Sequence, residues 1–171
     1  MKAGFWMKQM QDYVKNAAGV TYLQDESHVI HLDPDNDGDG RKIRLYGSPW
    51  TGLYGKPGKA FQVPRDQLAA KWEKIPPGVD ILITHMPPLG VLDVNAGGIK
   101  AGCPHLYSTV INKVKPKIHV FGHIHESYGH KIEQNILFIN AANKRPRSKE
   151  MNAPVVVDYQ FNSSHVSIIK K

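Results

Sequence analysis

Two short apolar runs, each ending in a histidine, form the clearest pattern along the chain. VDILITH covers residues 79–85, and KIHVFGHIH covers residues 117–125. Runs of this length bounded by turn residues are typical of strands buried on both faces, as in parallel sheets. A glycine-rich loop and a helical pattern over residues 105–114 separate the two runs. This connection is long enough for a helical crossover between parallel strands.

The rest of the chain combines short β patterns with two more helical patterns. Apolar spacing predicts a helix over residues 5–17, and Asp66 is a candidate N-cap for a helix ending near Lys74. TYLQDE, SHVIHL and RKIRLYG predict strands around the polar turn DPDNDGDG. HKIEQ, ILFINAA, APVVVDYQF and HVSIIKK predict an antiparallel series of strands. We expect an α/β fold with a mixed sheet, organised as one domain over residues 1–171.

His85 and His123 each stand where an apolar run gives way to a loop. Ligands of open α/β sheets bind outside the carboxyl ends of the strands, so both histidines should emerge at the same rim. His123 and His125 are two residues apart, and in an extended segment their side chains point the same way. Neutral imidazole is a common metal ligand, and three histidines can bind one zinc ion. The spacing leaves two interpretations open, a metal site or a set of structural and surface histidines.

Two segments around these histidines resemble the last two motif blocks of calcineurin-like metallophosphoesterases. They are LITHMPPLG at residues 82–90 and VFGHIHESYG at residues 120–129. YGSPW at residues 46–50 resembles the branch of metallophosphoesterase-domain-containing proteins that includes cyclic-nucleotide phosphodiesterases. The similarity runs from about Gly19 to about Asp158. It implies the C-terminal part of a four-layer αββα sandwich.

The resemblance also implies a two-metal site. His85 and His123 would bind the second divalent ion and His125 the first, with manganese, iron or zinc as the metals. Glu126 is a candidate support for these ligands. Such metal pairs activate water and neutralise phosphoryl oxygens, so the implied activity is the hydrolysis of phosphate esters, with phosphodiesters as the expected class. The implied substrate is a phosphate-ester small molecule such as a cyclic nucleotide.

The carboxylate motifs that accompany these histidines in the family are missing. D-x-H, G-D-x-x-D and G-N-H-[ED] do not occur ahead of His85. Divalent ions are poorly held without carboxylates, so we expect at most partial metal binding and no turnover by this chain alone, and we assign no catalytic residue. Asp80 stands about 16 Å from His85 along an extended strand, which excludes it as a substitute. Asp93 lies in the loop that follows and can approach the site.

The missing motifs leave two hypotheses about the chain. It is the C-terminal half of a phosphoesterase domain, or it is a catalytically inactive truncated paralogue that acts as a metal- or nucleotide-binding interaction module. A sandwich without its first half would expose strand edges and apolar faces, and such surfaces associate. We therefore expect self-association, or a partner chain that covers the exposed sheet.

The composition of the chain indicates which partners it prefers and where in the cell it is expected. The chain has 171 residues and a formal net charge of +7, with a sequence pI near 9.4, which favours anionic partners. The basic cluster from Lys144 to Lys149 is either a solvated loop or a contact for a nucleic-acid phosphate backbone or a nuclear-import receptor, and general nucleic-acid binding is not expected. The sequence has no membrane-spanning run, no secretory signal pattern and one cysteine, Cys103. We therefore expect a cytoplasmic protein.

Aromatic residues embedded in the Gly/Pro-rich loop over residues 47–64 have two interpretations. Trp50, Tyr54 and Phe61 either line a pocket for a base or an aryl group or cover the edge of the core. Arg65 and Lys56 are candidates for contacting a substrate phosphate. The sequence does not locate either of these cations at the site.

Overall fold

A six-stranded sheet forms the centre of the protein, as seen in a computed structural model that describes residues 12–14, 16–17, 19–33, 40–55, 59–161 and 166–169. In spatial order the strands are β1 (Glu26–His31), β2 (Lys42–Ser48), β5 (Ile81–Thr84), β6 (Ile118–Phe121), β8 (Ile136–Asn140) and β7 (Gly129–Glu133). The four central strands run parallel, and the two edge strands β1 and β7 pair antiparallel. The predicted α/β fold with a mixed sheet is confirmed.

Two helices pack on one face of this sheet. A 3₁₀ turn (Arg65–Gln67) leads into α1 (Leu68–Trp72), and α2 (Pro104–Ser108) continues as a π-helical segment (Thr109–Val114). Both helices were expected from the sequence. Asp66 does not cap the first one, because the chain enters it through Pro64 without any capping side-chain hydrogen bond.

Two short strand pairs lie outside the main sheet. β3 (Thr51–Gly52) pairs in parallel with β4 (Gln62–Val63), and β9 (Val157–Tyr159) pairs antiparallel with β10 (Val166–Ile168). The first pair closes the Gly/Pro-rich loop, and the second forms a ribbon over the other face of the sheet, opposite the helices. The predicted helix over residues 5–17 lies largely outside the described residues, and so does most of the predicted polar turn.

The alternation of side chains along β8 explains why its sequence is apolar throughout. Ile136 and Phe138 join the core beneath the helices, whereas Leu137 and Ile139 join the core beneath the β9–β10 ribbon. A strand covered on both faces needs apolar residues at every position, because its side chains alternate between the faces. The same arrangement accounts for the apolar runs of β5 and β6.

Two of the strand expectations are wrong in detail. Residues 129 onward do not form one antiparallel series, because β8 crosses over to pair in parallel with β6 while only β7 pairs antiparallel with it. The TYLQDE segment, residues 21–26, contributes only Glu26 to a strand. Asp25 has a φ of 57°, a left-handed backbone that cannot continue a strand.

Candidate metal and phosphate site

His85 and His123 are in direct contact at the rim of the sheet. His85 follows β5 and His123 follows β6, the two strands being parallel neighbours. The Nε2 atom of His85 lies 2.9 Å from the Nδ1 atom of His123, and the ring centroids are 4.8 Å apart at an interplanar angle of 67°. Neighbouring parallel strands that end together therefore bring two residues 38 positions apart in sequence into one cluster.

His123 and His125 line a common pocket, but the backbone between them does not have the expected conformation. The segment is not extended, because His123 has a φ of 68° and His125 begins a 3₁₀ turn (His125–Ser127). The expectation of a straight segment is wrong because Gly122 and His123 form a bend as soon as β6 ends. Both side chains nevertheless line one pocket of about 460 Å³. His85 borders a neighbouring cleft of about 380 Å³ on the other side of the histidine pair.

Backbone hydrogen bonds hold the two histidine turns in register. The N–H of Gly122 donates to the carbonyl oxygen of His85 at 3.2 Å, and the N–H of His85 donates to the carbonyl oxygen of Ser48 at 3.2 Å. Thr84, buried just before His85, donates its hydroxyl to the carbonyl of Met86 at 2.8 Å. The turn carrying His85 is thus fixed on both sides of the residue.

Asn140, at the end of β8, ties together the two loops that carry the site. Its side-chain amide donates to the carbonyl oxygens of Leu92 at 3.0 Å and Ile124 at 2.8 Å, while its side-chain oxygen accepts the N–H of Ala142. The residue is 0% exposed. A buried amide with all these partners fixes the loop after β5 against the turn that holds His123 and His125. An asparagine at the end of an apolar run is the one feature of the sequence that could have indicated this role.

The electrostatic environment keeps the histidine pair neutral. Burial, the neighbouring His85 and His125, and the cations Lys59 and Arg65 together lower the pKa of His123 to about 4. Burial and then His125 also lower the pKa of His85. A neutral imidazole has a free lone pair for a metal ion, so the pair is in the ligand-competent form at neutral pH.

The pocket wall is strongly basic. Besides the histidines it contains one acid, Glu126, and five cationic side chains, which are Lys59, Arg65, Lys144, Arg145 and Arg147. The last three belong to the basic cluster noted in the sequence, for which a solvated loop was one interpretation. These side chains are exposed, and they also face the pocket that His123 and His125 line. The sequence signal was present, but nothing in it placed the cluster beside the histidines.

The two aspartates weighed as substitute ligands are committed to other partners. Asp93 is 1% exposed, and its Oδ2 accepts the N–H groups of Gly90 and Gly102 at 3.0 Å each, so it is a loop anchor and not a ligand. Asp80 lies at the far end of β5 and accepts the N–H of Arg44, as its strand position predicted. Within the described ranges, no group of three or more His, Cys, Asp or Glu side chains is arranged to hold a metal ion.

The donor set still fits part of a metal site. Two imidazole nitrogens bound to one ion at about 2.1 Å each lie roughly 3.0–3.4 Å apart. The 2.9 Å between Nε2 of His85 and Nδ1 of His123 is close to that spacing. The spacing is thus compatible with a shared divalent ion, although the described residues do not supply a group of three or more ligands.

The aromatic residues of the loop divide between two roles. Trp50 donates its indole N–H to Asp25 at 2.7 Å, stacks edge-on with Phe61 and carries Lys71 over its ring, so it belongs to the edge of the core. Tyr54 lines the histidine pocket. Of the two candidate phosphate contacts, Arg65 lines the pocket, and Lys56 lies outside the described residues.

Comparison with known proteins identifies this chain as a metallophosphoesterase-like region. This chain is 44% identical over 139 residues to Metallophosphoesterase domain-containing protein 1 of Homo sapiens. The aligned region makes up 80% of this chain and 39% of that protein. The chain is also 42% identical over 133 residues to one UPF0046 protein of Caenorhabditis elegans, covering 77% of this chain and 33% of that protein.

A second UPF0046 protein of Caenorhabditis elegans is 35% identical over 161 residues, covering 91% of this chain and 53% of that protein. The chain thus spans about half or less of the length of these relatives. A solved crystal structure with a TM-score of 0.55 and 14% identity covers 82% of this chain and 52% of its own, which shows the fold alone. The fold is compatible with the C-terminal part of a metallophosphoesterase sandwich. No family model matches the chain.

In the part of the chain that the structure describes, no helix has the length and apolar character needed to cross a bilayer.

Proposed function

We propose that the chain forms the histidine-bearing part of a metal-dependent phosphoesterase that hydrolyses phosphodiesters. The observation that carries the proposal is the contact between His85 and His123, two neutral imidazoles 2.9 Å apart beside a basic pocket. The names of the relatives point to the same class of protein. The proposed location is the cytoplasm.

In this proposal His85 and His123 hold one divalent ion and His125 holds a second, with manganese, iron or zinc as the metals. The ions, when bound, supply an activated water and neutralise charge on the phosphoryl oxygens. Asn140 and the Gly122–His85 backbone hydrogen bond keep the imidazoles in place. The remaining ligands are not supplied by the described residues, among which no group of three or more His, Cys, Asp or Glu side chains is arranged to hold a metal ion.

The residues of the pocket orient the substrate. Lys59 and Arg65 present positive charge near His123, where they attract and align a phosphate group. Tyr54 gives one wall an aromatic surface. A pocket of about 460 Å³ suits a small phosphate ester, and a cyclic nucleotide is within this class.

The test is hydrolysis of an aryl phosphodiester by the chain with added manganese, comparing the wild type with His123→Ala and with His130→Ala. Manganese-dependent turnover in the wild type and in the control would establish activity of the chain in spite of its missing carboxylate motifs. His130 serves as the control because it is exposed on β7 away from the pocket. The His123→Ala variant should have only the rate of manganese in buffer. Equal turnover in all three proteins contradicts the proposal, and no turnover in any of them supports a catalytically inactive chain.

A second function is favoured by the absence of a complete ligand group among the described residues. The chain would then be a catalytically inactive module that binds a metal ion or a nucleotide. The same three proteins separate the two functions if manganese binding is followed by calorimetry. Binding that is weakened by His123→Ala without turnover in any sample supports the inactive module.

A further inference from the structure

Four cations of the histidine pocket lack an acidic partner. Arg145 is paired, because its guanidinium contacts the carboxylate of Glu150 at 2.6 Å. Among the described residues no salt bridge involves Lys59, Arg65, Lys144 or Arg147, and Glu126 is the one acid in the pocket wall. Like charges gathered in one concavity repel each other, so their convergence favours an anion with more than one centre of charge.

These four cations approach the pocket in two pairs from different loops. Lys59 and Arg65 flank β4, and Arg65 is anchored by donating to the carbonyl oxygen of Ala101 at 3.3 Å. Lys144 and Arg147 come from the loop after β8, which is distant in sequence from the first pair. Both pairs line the pocket that His123 and His125 also line, so positive charge converges on this pocket from two separate loops.

The loop that carries the second pair is built to a definite shape. The N–H of Arg145 donates to the carbonyl of Glu150, and the N–H of Asn152 donates to the carbonyl of Asn143. The side-chain amide of Asn152 donates to the carbonyl of Ala142 at 2.7 Å. Hydrogen bonds within the loop thus fix the backbone that carries Lys144 and Arg147 beside the pocket, which reduces the entropy lost on binding.

We propose that this pocket takes a small phosphate ester with a second phosphate group, the first phosphate lying toward His123 and the second against Lys144 and Arg147. The assignment of the first phosphate as the reacting group rests on the function proposed above. The volume of about 460 Å³ holds a small molecule of this kind. Lys144 and Arg147 are in this role specificity-determining residues.

The experiment compares two probes that differ by one phosphate, adenosine 5′-monophosphate and adenosine 3′,5′-bisphosphate. Binding to the 171-residue chain is measured by calorimetry at physiological ionic strength, with a chelator and no added metal. We expect the bisphosphate to bind about tenfold more tightly, the effect of one added set of charge-assisted hydrogen bonds. In the Lys144→Ala/Arg147→Ala variant the two probes should bind equally, with affinity for the monophosphate unchanged.

The control variant Lys42→Ala/Lys149→Ala removes the same charge from exposed positions that do not line the pocket. It should keep the tenfold preference, which separates a local contact from an effect of net charge. A second variant, Arg147→Glu, reverses one charge and should make the bisphosphate the weaker ligand. Near-ultraviolet circular dichroism establishes that each variant is folded.

Three results would overturn the inference. They are equal affinity of the wild type for both probes, the same loss of preference in the control variant, and affinity for oligonucleotides that rises with each added nucleotide. The last indicates an extended strand as the ligand. Because the titration contains no metal, its outcome is independent of turnover. A lasting preference without manganese-dependent hydrolysis overturns the phosphoesterase function and leaves the two-phosphate pocket in place.

Discussion

His119 is a fully buried imidazole that takes no part in the pocket. It lies on β6 with its ring 5.0 Å from that of Phe121 and 5.7 Å from that of Phe138. The hydroxyl of Thr84 donates to the carbonyl of Met86, so it accepts from Nε2 of His119 at 2.9 Å. Nδ1 finds no partner among the described residues. This imidazole therefore holds the threonine that precedes His85.

Acid should destabilise the protein through this residue. Burial lowers the pKa of His119 to about 3, whereas an unfolded histidine has a pKa of about 6.5. Between these two values the unfolded chain binds one more proton than the folded chain, so the free energy of unfolding falls as the pH is lowered from about 6.5 toward 3. The contribution is about 1.4 kcal/mol per pH unit. Urea unfolding of the wild type and of His119→Leu between pH 4 and pH 7 measures it.

His119→Leu should reduce the slope of unfolding free energy against pH by about 1.4 kcal/mol per unit. The matched control is Thr84→Val, which removes the hydrogen-bond partner but keeps the imidazole. It should lower stability by about 1 kcal/mol at every pH without flattening the slope. Equal slopes in the wild type and His119→Leu would mean that protons enter this part of the folded core.

For individual residues, some positions in the site could be predicted from the sequence and others could not. The adjacency of His85 and His123 followed from two apolar runs ending at the same rim, because parallel strands align their carboxyl ends. The left-handed backbone of His123 did not follow, since only a small minority of non-glycine residues adopt a positive φ and the sequence does not show which. Ser48 and Trp50 carried a family motif, and their common partner Asp25 is set by the tertiary fold.

At the scale of elements, the site depends on a hydrogen-bonded connection between strands. Asn140 ends β8, yet its amide bonds to the loop after β5 and to the turn after β6. Three strand ends are thereby joined at one buried side chain. The geometry of the histidines then follows from the sheet itself, with little freedom left to the loops.

Asn140→Asp should be strongly destabilising. The substitution replaces two N–H donors by a carboxylate oxygen that faces the carbonyls of Leu92 and Ile124. The buried repulsion and the two unsatisfied carbonyls should lower the free energy of unfolding by about 3 kcal/mol or more. Chemical denaturation at pH 7 measures the change. Asn143→Asp, an exposed change of the same chemistry, should stay within about 0.5 kcal/mol of the wild type, and similar losses in both would show that Asn140 is not a connecting residue.

Element types were largely predictable and pairings were not. The alternation at the start of β2 and the apolar runs of β5, β6 and β8 identify strands, because burial on one or two faces leaves a local pattern. The partner of a strand leaves no such pattern. ILFIN is equally suited to an antiparallel hairpin with β7 and to the parallel contact with β6, and the structure uses both.

At the scale of the whole molecule, the described residues cover one face of the sheet only in part. The β9–β10 ribbon packs over Ile118, Leu137 and Ile139 of β6 and β8. Ile83, on β5, remains 38% exposed. It borders the cleft that His85 also lines. Apolar surface left open in the middle of a sheet favours association with another surface.

We therefore expect the chain to self-associate through this face, and Ile83→Lys to weaken the association. Sedimentation velocity over a range of protein concentrations measures it, and a charge at the centre of an apolar contact should shift the protein toward monomer. The control Ile99→Lys changes a 64% exposed isoleucine in a loop, and should leave the distribution unchanged. A monomeric wild type, or equal effects of the two substitutions, would exclude this face as the contact.

At His123, folding stability and ligand chemistry favour different residues, because the backbone is left-handed there. A histidine with a φ of 68° carries a conformational cost on the order of 1 kcal/mol that glycine would relieve. If the imidazole had no ligand to bind, replacing it by glycine would raise the folding stability. A histidine at this turn therefore calls for an explanation other than stability.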